Sequence, residues 1–159
     1  MADLFKPLQD RFLTALENTA GGQLFQVVVQ NAEIASTVVN YCRSHHTGRL
    51  TLLPLAEMVT VVKTPRYPEG DSRCFPLLQC IEFDEAVRPI MISIFGNTLL
   101  CEDLQTATEV AHEYNMNCVT LSGEKVGKRG AIRGGYQDAR NSRLRSWYHV
   151  QKRQETVRE

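Results

Sequence analysis

Apolar residues recur along this chain in two rhythms, and the switches between them mark out its elements. Leu4, Leu8, Phe12 and Leu16 fall four apart, with Phe5 and Leu13 beside them. That spacing predicts an amphipathic helix of about three turns. Asn18-Thr19-Ala20-Gly21-Gly22 is a stop signal for it. Leu24–Val29 (LFQVVV) then reads as a buried strand. Asn31 is placed to cap a second helix carrying Ile34, Val38, Tyr41 and Cys42, which His45, His46, Thr47 and Gly48 end. Leu50–Leu55 (LTLLPL) is a further strand, and Pro54 confines it to an edge or an end. Ala56–Val62 reads as a short helix or turn leading into strand.

Lys63–Pro76 contains Pro65, Pro68, Gly70 and Pro76, so it is expected to be a loop and the boundary between two lobes. Beyond it, Leu77–Phe83 is a strand or a short helix, and Pro89–Phe95 (PIMISIF) is a fully buried strand or the end of a helix. Thr98–Cys101 is a short strand. Asp103 caps a helix with Leu104, Ala107, Ala111 and Tyr114 on one face, and Asn117–Leu121 returns to strand. Arg140–Glu159 lacks Gly and Pro and carries Leu144, Trp147, Tyr148 and Val150, which predicts one long exposed helix.

Strand and helix signals alternate in both halves. The fold class expected is α/β in the mixed α+β sense: two small lobes with mixed sheets and flanking helices. The lobes are expected at about 19–64 and 77–138 within a domain spanning 19–140, with helical stubs at 1–18 and 141–159. Those terminal helices either begin an antiparallel coiled coil or are unrelated.

One stretch does not fit ordinary alternation. Five of the ten glycines (Gly123, Gly127, Gly130, Gly134 and Gly135) fall between residues 123 and 135, interleaved with Lys125, Val126, Lys128, Arg129, Ala131, Ile132 and Arg133. Glycine costs backbone entropy in any ordered element. Such density points to sharp turns, or to the close approach of a ligand or a second backbone. The spacing fits neither a P-loop nor a dinucleotide fingerprint. A close-contact surface and a set of ordinary turns remain.

Composition changes the picture in one respect. The net charge is zero, yet residues 124–159 carry ten Lys or Arg against four Asp or Glu, a net of +6 balanced by −6 over residues 1–123. The basic end suits an acidic or nucleic-acid partner, or a solvated helix face. Lys125, Lys128, Arg129, Arg133, Arg140, Arg143 and Arg145 are the candidate DNA-contacting residues. The chain has no apolar run of the roughly 18–20 residues that a membrane span needs. The five cysteines (Cys42, Cys74, Cys80, Cys101, Cys118) form no C-x-x-C and read as reduced, mostly buried thiols of an intracellular protein.

Catalytic signals are missing. There is no nucleophile elbow and no H-E-x-x-H. Cys42, His45 and His46 lack a fourth metal ligand at a plausible spacing. Asp84-Glu85 and Glu102-Asp103 are sequence neighbours that do not face one another on a helix, so they read as solvated or capping charges. No catalytic residue, metal, cofactor or small-molecule substrate is expected.

TAGGQLF (19–25), LTLLPL (50–55), YPEGD (67–71), FDEAVRP (83–89), IFGNTLLC (94–101), NCVTLSGEKV (117–126) and RGAIRGGYQDARNSRL (129–144) together resemble the hinge domain of SMC (structural maintenance of chromosomes) proteins. The resemblance runs from about residue 16 to 148. The last motif, with Tyr136 after the double glycine and Arg140-x-x-Arg143-Leu144 behind it, is similar to that of cohesin's Smc-three subunits. His45-His46 and Trp147-Tyr148 match no pattern of the family. The resemblance implies a dimerisation domain between two coiled-coil arms, joining two SMC chains into a ring for chromosome cohesion and organisation, in the nucleus and on chromosomes. The ATPase heads would lie elsewhere in the protein. It implies a heterodimer with an Smc-one-type hinge through Gly123, Val126, Gly127, Gly130, Ala131, Ile132, Gly134, Gly135 and Tyr136. Weak, non-specific DNA binding by the basic segment is the alternative.

Overall fold

The computed structural model describes residues 1–158; the final residue of the expected C-terminal helix, Glu159, lies outside the described residues. The main core forms where two short helices cross. Helix α1 (Leu13–Ala20) buries Leu13, Ala15 and Leu16, and helix α4 (Arg88–Phe95) buries Ile90, Met91 and Phe95. The apolar run PIMISIF is therefore helix rather than strand. A continuously apolar run says "buried" without fixing a period. What decides here is the lead-in: Pro89 stands in the first turn, where its fixed φ favours a helix, after a 3-10 turn capped by Asp84 Oδ1 accepting the Ala86 N–H at 2.8 Å.

The N-terminal segment also departs from expectation. Helix was expected across Leu4–Leu16, but it begins only at Leu13. Before it, β1 (Phe5–Pro7) pairs antiparallel with β5 (Ile81–Phe83), Phe5 lying opposite Phe83. Pro7 explains this, because inside a helix it would remove one hydrogen bond and clash with the preceding turn. Phe5 instead packs edge-on against Phe95, with ring centroids 5.2 Å apart.

Residues 77–138 build most of a five-stranded mixed sheet. β4 (Cys74–Pro76), β6 (Thr98–Cys101), β7 (Asn117–Thr120), β8 (Lys125–Val126) and β9 (Ile132–Arg133) lie in that order. β6 and β7 are parallel and are linked by α5 (Leu104–Tyr114); the other pairs are antiparallel. α5 begins as expected, with Asp103 Oδ1 accepting the Thr106 N–H at 2.8 Å. Alternation along β6 and β7 divides the sheet between two cores. Leu99, Cys101 and Cys118 face Ala107, Val110 and Ala111 of α5, while Leu100 and Val119 face the main core. The expected loop 63–76 thus ends in strand: Cys74 is buried opposite Cys101, and Pro76 sits at the end of an edge strand where no ladder donor is needed.

Residues 26–62 form the other lobe. β2 (Val27–Val29) and β3 (Leu52–Pro54) make a two-stranded parallel sheet, joined by α2 (Ala32–Ser44) and followed by α3 (Leu55–Val61). Asn31 caps α2 by accepting the Ile34 N–H at 2.9 Å. The run LFQVVV is not the buried strand expected. Its first residues close a 3-10 turn (Gly21–Phe25), and Val27 is exposed. No residue from 25 to 73 is fully buried. Parallel sheets are ordinarily covered on both faces, so this lobe exposes much of what such a sheet normally hides. Four of the five cysteines are buried and unpaired, and Cys42 is half-buried.

The chain closes on itself at α6 (Arg143–Arg158). The helix expected from Arg140 starts later: Ala139–Asn141 is a 3-10 turn, and a break at Ser142 separates it from α6. Leu144 is buried against the core. Farther along, Gln151 Nε2 donates to Asp3 at 3.1 Å and Lys6 Nζ to Glu155 at 2.8 Å. Both ends of the chain therefore lie side by side.

Candidate functional site

The glycine-rich stretch is a β-hairpin at the end of the large sheet. After β7 the chain turns at Ser122-Gly123 and runs back as β8, where Val126 is buried and pairs with Ile132. The hairpin closes with the Gly127 N–H donating to the Ala131 carbonyl and the Gly130 N–H to the Gly127 carbonyl, both at 2.8 Å. Gly130 has φ +88, a conformation that side chains resist. β9 then pairs with β8 along one edge, and no strand among the described residues pairs with the other. From that edge Ile132 is 55% exposed, and Tyr136, after Gly134-Gly135, is 93% exposed.

The candidate contact residues thus separate by position. Val126 belongs to the core under α5, so its side chain is not available at a surface. Gly123 is needed inside the chain. It has φ +96, and a Cβ there would sit 2.2 Å from Asn18 Nδ2, which donates to the Gly123 carbonyl at 2.9 Å. Gly127 and Gly130 serve the turn. Ala131, Ile132, Gly134, Gly135 and Tyr136 are exposed along the free edge. A Cβ on Gly135 would meet nothing within 4 Å, and one on Gly134 would press on Glu124 Cγ at 2.9 Å, in a side chain tied to Thr120.

The seven basic residues also separate. Lys128, Arg129 and Arg133 are exposed. Arg140 is held by Asp138 at 2.8 Å, and its guanidinium keeps that carboxyl below the usual range. The Nε of Arg145 is buried without a partner. Lys125 Nζ donates to the Asn18 carbonyl at 3.2 Å; burial, then the charge of Arg133, pushes its pKa down. Arg143 lies over the Phe25 ring, 4.8 Å from its centroid. Lys125, Arg133 and Arg143 converge on a cleft of about 490 Å³ between α1, the hairpin and the start of α6.

The other candidates resolve into structural roles. Asp84 and Asp103 are caps, and Glu85 pairs with Arg88. The His45 ring stacks on Tyr41 at 4.0 Å, with Nδ1 3.0 Å from the Tyr41 carbonyl oxygen. Sequence reasoning missed the bare lobe. Phe25, Val27, Val59 and Val61 are 43–75% exposed. The signal was present in LFQVVV, but an apolar run does not say whether its cover comes from the same chain.

Known proteins share this arrangement. The family model "SMC proteins Flexible Hinge Domain" matches residues 1–111, stopping short of the glycine hairpin. Structural maintenance of chromosomes protein 3 from Arabidopsis thaliana is 41% identical over 138 residues, which cover 86% of this chain and 11% of that protein. The chain thus spans about a tenth of the length of such relatives. A structure described as the folded elbow of cohesin superposes with a TM-score of 0.83 at 26% identity, over 99% of this chain and 22% of that one. The hinge domain of Geobacillus stearothermophilus SMC, crystallised as an asymmetric dimer, gives 0.76 at 27% identity, over 99% of this chain and 68% of that one. This chain belongs to the flexible hinge domain family of SMC proteins.

Proposed function

We propose that this domain joins two SMC chains, and that the free edge from β9 to Tyr136 is one half of the contact. The observation that carries this is the unpaired outer edge of β9, flanked by glycines that leave the backbone bare. An exposed strand edge is a template for pairing with another chain. The lobe of β2 and β3 supports it, being a two-stranded parallel sheet with exposed apolar residues on the same molecule. Two unsatisfied surfaces on one chain suit a dimer in which each hinge offers both. The likeness to a hinge crystallised as a dimer agrees with this.

The finer reading follows the relatives. The partner is an Smc-one-type hinge, giving a heterodimer of the cohesin class that acts in chromosome cohesion and organisation, in the nucleus and on chromosomes. The hinge takes in 19–140 together with β1 and α1, which belong to its core, with lobes at about 19–64 and 77–138, and 141–159 begin a coiled-coil arm. The domain works by binding, and any ATPase chemistry belongs to other parts of the full protein. Sedimentation velocity of the chain alone, and mixed with an Smc-one-type hinge, tests this. A mixed species of twice the mass is expected, and two unmixed boundaries at micromolar concentration would overturn it.

A further inference from the structure

The cleft between α1, the hairpin and α6 borders the proposed contact edge, sharing Arg133, Gly134, Gly135 and Tyr136 with it, and carries an electrostatic imbalance of its own. Lys125, Arg133 and Arg143 all line it, and none forms an ion pair among the described residues. The carboxylate on its wall, Glu17, is already engaged. Its oxygens accept the Ser142 hydroxyl and the backbone N–H groups of Arg143 and Leu144. Lys125 spends one N–H on the Asn18 carbonyl and faces the like charge of Arg133. The single charge of Glu17 leaves three cations in surplus, and like charges held together are costly unless a further anion joins them.

The walls suit such an anion. Gly21, Gly22 and Gly135 would meet nothing within 4 Å if they carried a Cβ, so the backbone there is open to a close ligand. The Arg143 guanidinium carbon lies over the Phe25 ring, 4.8 Å from its centroid, which brings its planar fork of donors to the cleft wall. A volume of about 490 Å³ is that of a small-ligand site.

We propose that this cleft binds a compact polyphosphate, its oxyanions held by Lys125, Arg133 and Arg143. Three cations gathered in one concavity match a small, multiply charged ligand. A nucleic-acid backbone would instead need basic groups repeating along a track.

Titration calorimetry of the 159-residue chain with inorganic tripolyphosphate tests this. One site per chain is expected, weakening as salt rises because the contacts are ionic. Arg133→Gln, which alters an exposed side chain on the cleft's rim, should weaken binding by about tenfold, the scale of one charge-assisted hydrogen bond. The triple variant Lys125→Met, Arg133→Gln, Arg143→Gln should abolish it while circular dichroism shows an intact fold. Lys63→Gln, outside the cleft, should leave it unchanged. No saturable binding at low salt, or equal loss with Lys63→Gln, overturns the proposal. So does tighter binding of a short single-stranded oligonucleotide than of tripolyphosphate, since the cleft would then be one stop on a nucleic-acid track. If the triple variant unfolds, Arg133→Gln alone decides.

Discussion

Glu17 Oε1 on α1 accepts the backbone N–H of Arg143 at 2.8 Å, so a carboxylate near the start of the chain caps its last helix from 126 residues away. Ser142 completes the cap, its Oγ accepting the Arg145 N–H at 3.0 Å. The first turn of a helix leaves N–H groups without partners, and its dipole favours a negative charge there. The direction in which α6 leaves the domain is thereby tied to α1.

Replacing Glu17 by Ala should therefore cost about 1–2 kcal/mol, the range of a strong helix cap. Hydrogen exchange should accelerate at the Arg143, Leu144 and Arg145 amides before it does in β6 or β7. Uniform acceleration across the domain would show that Glu17 supports the core rather than the cap.

The glycines of the hairpin should respond very differently to alanine. Gly123→Ala combines a left-handed backbone with a Cβ 2.2 Å from Asn18 Nδ2 and 2.9 Å from Thr14 Cγ2. Conformational strain and overpacking together predict a loss of about 2–4 kcal/mol. Gly130→Ala carries the strain alone, since nothing lies within 4 Å, and should cost about 1 kcal/mol. Thermal melts of the two variants measure the difference, and equal losses would contradict the packing at Gly123.

How much of this was legible in the sequence depended on distance along the chain. Asp103 and Asn31 were readable as caps because a cap bonds residues three apart. Thr98–Cys101 was readable because turn residues bound it on both sides. The β1–β5 pairing was hidden, since its partner lies in a distant segment and the four-residue spacing of Leu4, Leu8, Phe12 and Leu16 mimicked a helix that Pro7 forbids. The hairpin showed itself as a cluster of glycines. Which glycine serves packing and which the surface turned on Asn18 reaching Gly123 across 105 residues. The cleft was least visible, because its cations come from β8, β9 and α6 and its one carboxylate from α1.

Acid should loosen the loop that precedes β4. Asp71 accepts N–H bonds from Arg73, at 2.9 Å from the backbone and 2.6 Å from Nη2, and the Tyr114 hydroxyl at 2.9 Å. Arg73 bridges on to Glu113 at 2.7 Å. The Arg73 hydrogen bonds hold the Asp71 carboxyl well below its ordinary range. A depressed folded pKa means that the stabilisation is complete above the unfolded value of about 3.9 and is lost as pH falls below it. Asp71→Asn should therefore lower the melting temperature at neutral pH and have progressively less effect below about pH 4. A difference that stays constant down to the acid transition would show that the loop is held by shape and not by this charge.

Substituting Gly134→Gln and Gly135→Lys together should abolish pairing with a partner hinge while leaving the chain folded. Within the monomer, Gly135 has φ +137 and open space around it, and a side chain on Gly134 needs a shift of Glu124 Cγ, 2.9 Å away. A side chain at positive φ costs about 1–2 kcal/mol, which a domain of ordinary stability, about 5–15 kcal/mol, survives. At a close backbone contact the same two side chains would also block the partner. Interface hot spots are worth about 2 kcal/mol or more each, so two clashes should weaken association by roughly a thousandfold at 1.4 kcal/mol per decade. Analytical ultracentrifugation with an Smc-one-type hinge measures the pairing, and circular dichroism with thermal melting measures the fold. A double variant that unfolds would make these glycines part of the hairpin's own architecture, like Gly123. One that folds and pairs normally would move the contact elsewhere, with the exposed apolar residues Phe25, Val27, Val59 and Val61 of the β2–β3 lobe the next surface to disrupt.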